Sequence, residues 1–190
     1  MTNLHNTHLW AHRNPHAIMN AHYQQEWRVN VWAGILGDKI LGPHFLPSRL
    51  TAENYLSFLR NDLIELLEEI PLETRQRTWF QHDGAPPHFG RLVRAHLQDT
   101  YQHTWIGRGG PVSWPPRSPD LTPLDFYLWG HVKTLVYATE CPDANTLRSR
   151  IVSAFEEIKE MHVMPDVHRS VARRIAICIQ MGGGHVQHLL

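Results

Sequence analysis

The spacing of apolar residues changes period several times along the chain. From Trp27 to Leu36 it alternates singly, with Val29, Val31, Ala33 and Ile35 on one face, which predicts a strand. Gly37-Asp38 then predicts a two-residue hairpin turn into a returning strand at Lys39-Ile40-Leu41. Leu56, Leu59, Leu63, Leu66, Leu67 and Ile70 fall at helical spacing, so one helix is expected from about Ala52 to Glu69, ended by Pro71. Thr78, Phe80 and His82 alternate with Trp79 and Gln81, predicting a strand that ends at Asp83. Phe89, Leu92, Val93, His96 and Leu97 return to helical spacing, over about His88 to Gln98, and Trp105-Ile106 reads as one more short strand.

The second half is helical. Thr122 reads as a helix cap with Pro123 at the first position, which puts Asp125 in the opening turn and Leu124, Leu128, Val132, Leu135 and Val136 inward. Asp143 is an N-cap for a helix bearing Leu147, Ile151, Phe155 and Ile158. Pro165 starts a last helix with Val167, Val171, Ile175 and Cys178 or Ile179 inward, closed by Gly182-Gly183-Gly184. Met1 to Gln25 is weakly periodic, with a short strand expected near His8 to Trp10 and loop after it. Strands first and helices after give an α/β pattern, and no repeat, low-complexity tract or interdomain linker divides the 190 residues.

Composition changes this picture little. The chain is 42% apolar and 19% charged, with no apolar run long enough to span a bilayer. Eighteen basic and eighteen acidic side chains balance, which argues against DNA binding by bulk charge alone. Cys141 and Cys178 offer neither a disulfide framework nor a zinc spacing. Fifteen histidines are many, and His5, His8, His12, His16 and His22 crowd the N-terminal region. Their spacing fits no zinc pattern, so solvated or structural roles are expected, with a histidine-dependent metal protein as the rival reading.

Two stretches carry chemistry. The first is Gln81-His82-Asp83-Gly84-Ala85-Pro86-Pro87-His88; the second is Trp114-Pro115-Pro116-Arg117-Ser118-Pro119-Asp120-Leu121-Thr122-Pro123-Leu124-Asp125. Each places an acid where one kind of regular structure gives way to another, a way to hold a hard divalent cation over a sheet. Locally each acid has a plainer role as well. Asp83 before Gly84 suits an Asx turn, and Thr122 and Asp125 stand at capping-box spacing. Asp120 reads as shaping its turn, and Asp38, at a hairpin tip, is poorly placed to meet Asp83. His88 suits a phosphate contact or an ordinary surface position. Trp114 and Arg117 suit DNA stacking or pairing, and Trp114 equally suits the core. Arg91, Arg94, Arg108, Lys133 and Arg148 are scattered, and sequence assigns none of them to a phosphate.

Together the stretches resemble the catalytic domain of mariner-type transposases, in the DDE superfamily. Asp83-Gly84-Ala85-Pro86-Pro87-His88 is similar to that family's motif for its second catalytic acid, and Ser118 through Asp125 to its Ser-Pro-Asp-Leu-x-Pro-x-Asp motif for the third. Forty-one residues lie between Asp83 and Asp125. The resemblance implies a ribonuclease-H-like mixed sheet flanked by helices, with Asp83 and Asp125 as catalytic metal ligands. It also implies two Mg²⁺ or Mn²⁺ ions, DNA as partner, a homodimer or partner transposase, no membrane, and a nuclear site. The family's first catalytic Asp lies on a strand that this chain does not show. The expectation is therefore one N-terminally incomplete domain over 1–190, a remnant with weak or absent metal binding, inactive alone. Without its first strand such a sheet is expected to be poorly soluble or only partly ordered. The alternative is a non-catalytic nucleic-acid-binding or assembly module derived from a transposon.

Overall fold

The computed structural model describes residues 28–116 and 118–184. Its first elements are a hairpin, β1 (Asn30–Leu36) and β2 (Lys39–Leu46), paired antiparallel with an irregularity between Trp32 and Gly34. The turn is Gly37-Asp38, and Gly37 sits at φ 58°, a left-handed conformation open to glycine without steric cost. The alternation along β1 serves two cores. Ala33 is buried with Val29, Val31 and Ile35 beside it in one cluster, while Trp32 packs against a second.

The helix expected over 52–69 is broken. It forms α1 (Ala52–Arg60) and α2 (Asp62–Leu66), and a further short helix, α3 (Leu72–Gln76), follows Pro71. Thr51 caps α1, its hydroxyl accepting the Asn54 N–H. The break falls at Asn61, whose side-chain amide donates to the Ser57 carbonyl at 2.9 Å beside its own backbone N–H. Such local side-chain bonds compete with continued helix. Pro71 stops one helical run and stands in the N-cap position of the next. The apolar stripe holds nonetheless: Leu56, Leu59, Leu63 and Ile70 are all buried.

The strand expected to end at Asp83 is shorter than its alternation suggests. β3 (Phe80–Gln81) pairs parallel with β4 (Trp105–Ile106), and the His82 N–H adds one bond to the Ile106 carbonyl at 3.1 Å. The following helix also starts late. Pro86 and Pro87 have no N–H, and a 3₁₀ turn over Pro86–Phe89 forms first, His88 and Phe89 both donating to the Ala85 carbonyl. Helix α4 (Arg91–Tyr101) begins only after Gly90.

A 3₁₀ turn at Pro119–Leu121 and a π-turn at Leu124–Leu128 lead into α5 (Trp129–Val136), then α6 (Ala144–Glu160) and α7 (Met164–Gln180). Asp143 caps α6 as expected, accepting the Asn145 and Thr146 N–H groups at 2.8 Å each. Arg150 ties α6 to the end of α5, donating to the carbonyls of Val136, Thr139 and Glu140. The expected stripe on α7 is only partly covered. Met164 and Val167 are buried, but Ile175 and Ile179 are exposed, because among the described residues α7 is held chiefly near its start and through Arg174, which donates to the Asp120 carbonyl. Gly182 and Gly183 end it at positive φ, with the Gly183 N–H on the Cys178 carbonyl at 2.9 Å.

Two apolar clusters result. One joins the hairpin to α5, α6 and the start of α7; the other joins α1, α2, α4, Trp105 and Leu46. Among the described residues the hairpin and the β3–β4 pair are separate two-stranded sheets. A cleft of about 740 Å³ lies between them, lined by all of β1, by β3, and by the turns that carry Asp83 and Asp125.

Candidate active site

Asp83 lies just beyond the β3–β4 pairing, where the chain turns from strand to 3₁₀ turn. Its Oδ1 accepts the Ala85 N–H at 3.0 Å, which is the Asx turn allowed by Asp-Gly. The same oxygen accepts a hydrogen bond from His88 Nδ1 at 2.7 Å. That bond, opposed by burial and helped by the Ala85 N–H, holds the Asp83 carboxyl below its ordinary range. The late start of α4 explains the contact. The 3₁₀ turn brings His88 back over Asp83 five residues earlier, and the imidazole nitrogen facing Asp83 is engaged by it.

His88 is itself held by rings. It stacks on His82 with centroids 5.0 Å apart and planes 8° apart, and lies 4.3 Å from the Tyr55 ring on α1. His82 is buried and shares a 3.4 Å hydrogen bond with the Tyr55 hydroxyl. Burial, reinforced by His88, lowers the His82 pKa to about 4, so this imidazole is neutral at neutral pH. Burial, followed by the charge on Asp83, raises the pKa of the Tyr55 hydroxyl. Gly107 makes the stack possible: a Cβ there would lie 2.5 Å from His82 Cδ2 and 2.6 Å from Nε2. Sequence reasoning missed this support. Its one signal was His82 itself, an imidazole in the inward register of a strand beside Asp83.

Asp125 arrives on the π-turn. Its N–H and that of Phe126 both bond the Thr122 carbonyl, at 3.0 and 3.1 Å. The N-cap position is Pro123 with no side-chain cap, so neither the expected Thr122 cap nor the capping box forms, since a wider turn replaces the first turn of an α-helix. The Asp125 carboxyl is raised above its ordinary range, first by burial and then by the charge on Asp83, with Lys133 opposing. Asp83 and Asp125 thus line one cleft, and the charge on Asp83 acts on Asp125. Asp83→Asn should therefore lower the Asp125 pKa, leaving only the part due to burial. Side-chain carboxyl NMR titration reads this, and an unchanged Asp125 midpoint would show that the two do not interact.

Trp114 is half-buried and lines the same cleft. Arg117 and the histidines at 5, 8, 12, 16 and 22 lie outside the described residues, as does the strand expected near His8 to Trp10. Asp120 is buried in its 3₁₀ turn, with its carbonyl on Arg174. Asp38 stands at the hairpin tip. The charge on Asp83 makes Asp125 costlier to ionise, and a hard cation held between such carboxylates would offset that repulsion. Among the described residues no group of three or more His, Cys, Asp or Glu is gathered to hold a metal.

No family model matches the sequence. The chain is similar to the transposable element Tc3 transposase of Caenorhabditis elegans, with 26% identity over 162 residues, covering 84% of this chain and 46% of that protein. It spans about half the length of that curated relative. Its structure is similar to that of the Mos1 transposase catalytic domain, determined with raltegravir and magnesium. The TM-score is 0.63 at 20% identity, over 78% of this chain and 72% of that one. Similarity to a transposase thus extends over most of the chain's sequence, and the fold is the ribonuclease-H-like one of the Mos1 catalytic domain.

Proposed function

We propose that the cleft is a metal-dependent phosphodiester-cleavage and strand-transfer centre acting on DNA in the nucleus, with Asp83 and Asp125 holding Mg²⁺ or Mn²⁺. The observation that carries this reading is that two acids, far apart in sequence, line one cleft. When bound, such ions activate the attacking oxygen and stabilise the leaving one. The chain's own part is orientation. His88 donates to Asp83 Oδ1 and fixes how the carboxylate faces the cleft; the buried, neutral His82 and the Tyr55 ring hold His88 in place. Asp125 is kept partly desolvated, which strengthens its interaction with a cation while raising its affinity for a proton. The magnesium in the Mos1 catalytic domain structure is consistent with this ligand chemistry.

We further propose that this chain is catalytically incompetent alone. The two acids supply less charge and fewer ligands than a two-ion centre needs, and no third joins them among the described residues. Incubated with supercoiled DNA and Mg²⁺ or Mn²⁺, the purified 190-residue chain should give no nicked or joined product. Cleavage abolished by Asp83→Ala would overturn incompetence and keep the site. Cleavage indifferent to that substitution would overturn the site as well.

A further inference from the structure

Among the positive residues that sequence left scattered, two meet. Phe89 is the last residue of the 3₁₀ turn that carries His88. The Arg94 guanidinium, one turn into α4, lies over the Phe89 ring at 4.4 Å from its centroid, and the Arg108 guanidinium, from the loop after β4, at 4.2 Å. Two like charges are therefore held against one ring, an arrangement that repulsion opposes unless something negative joins them. Neither arginine belongs to any ion pair among the described residues. Arg94 Nε is shut from solvent and has no hydrogen-bond partner there.

The surrounding loop is built to this pair. Gly109, at φ 74°, brings its backbone so close that a Cβ would lie 3.3 Å from both Cδ and Nη1 of Arg94. Arg108 runs beside Gly84, its Cβ and Cδ each 3.6 Å from where a Gly84 Cβ would stand. Arg108 thus flanks the residue next to Asp83, and Phe89 joins Arg94 to it. Helix α4 adds the positive end of its dipole at Gly90, with no side-chain cap. Stacking engages the guanidinium faces and leaves their edge N–H groups for a phosphate, which they match bidentately.

We propose that Arg94 and Arg108, clamped on Phe89, bind a backbone phosphate of the nucleic-acid strand entering the cleft beside Asp83. This rests on the DNA reading of the cleft and adds the pairing that positions the strand. Phosphate pairing of this kind fixes register without reading sequence.

The test is binding of a fluorescein-labelled DNA duplex, and of its single strand, to the full 190-residue chain by anisotropy across a salt series in Ca²⁺. Removing one phosphate-neutralising charge should lower the slope of log K against log salt by about 0.9 on the duplex and about 0.7 on the single strand. Arg108→Gln, at an exposed side chain, should show that decrease, and Arg94→Gln added to it a further one. Arg108→Lys should retain the slope, and Arg169→Gln on the exposed face of α7 should change nothing. Should Arg94→Gln fail to fold by circular dichroism, Arg108→Gln decides alone. DNA binding with an unchanged slope in Arg108→Gln would overturn the clamp and leave the acid site standing. A wild-type chain that binds neither duplex nor single strand at low salt would also overturn the clamp. The acid site is judged separately, by cation binding that involves no arginine.

Discussion

Asparagine at either Asp83 or Asp125 should erase the broadening that Mn²⁺ imposes on amides around the cleft. In the unsubstituted chain, paramagnetic broadening is expected to centre on Asp83 to Ala85 and on Leu124 to Phe126, the two segments that bring a carboxylate to the same cleft. Asparagine keeps the size of the side chain and removes its charge, which is the property that draws a hard cation. Each single variant should lose nearly all binding, because one carboxylate cannot replace a pair. His88→Ala should be milder, about 10-fold, in the range seen when groups that orient a ligand are removed. It leaves both acids and takes away only the 2.7 Å bond on Oδ1. The pH dependence has a definite sign. Because the Asp125 pKa is raised, that carboxylate is protonated at a higher pH than an ordinary one, so Mn²⁺ binding should fail first at Asp125 as pH drops. Asp83, held low by His88, should stay ionised below that point. Broadening that centres elsewhere, or survives in Asp125→Asn, would sink the two-acid site.

Much of the fold was legible because its signals are local. The Gly37-Asp38 turn, the alternation of β1, the Asp143 cap and the stripe from Leu147 to Ile158 each depend on a few adjacent residues, and the structure holds them where periodicity puts them. The misreadings share another cause, competition between helix types and local hydrogen bonds that apolar spacing does not record. Asn61 splits a continuous stripe; two prolines delay α4 by a 3₁₀ turn; a π-turn replaces the opening of α5. The last two displace helix starts beside the acids, and it is there that His88 and Asp125 acquire their orientations. Sequence named both acids, but the imidazole stack behind Asp83 and the two arginines on Phe89 depend on packing between segments distant in the chain. Tyr55 comes from α1, Gly107 and Arg108 from the loop after β4. No local pattern marks such meetings.

The largest effect on stability is expected from Phe155→Ala. Phe155 is fully buried in the cluster of α5, α6 and the hairpin, and truncating a buried phenylalanine costs about 3–5 kcal/mol through lost burial and the cavity left behind. Leu97→Ala removes an equally buried side chain from the other cluster, at a cost of about 2–5 kcal/mol. The cleft is lined from both clusters, and both strands of the hairpin contribute to each, Ala33 and Ile40 to one and Trp32 and Leu46 to the other. A two-stranded hairpin is a thin mechanical link, so the two losses should be nearly additive, within about 0.5 kcal/mol. Two tryptophans report the clusters separately. Trp129 packs edge-on against Phe155 at 6.1 Å, and Trp105 is buried beside Leu97 in the second cluster. With 5-fluorotryptophan incorporated, urea unfolding followed by ¹⁹F NMR should show the Trp129 midpoint falling in Phe155→Ala while Trp105 holds nearly its original value. Leu97→Ala should reverse the pattern. If both signals fall together by the same amount in each variant, the clusters unfold as one unit, and the cleft does not divide the molecule.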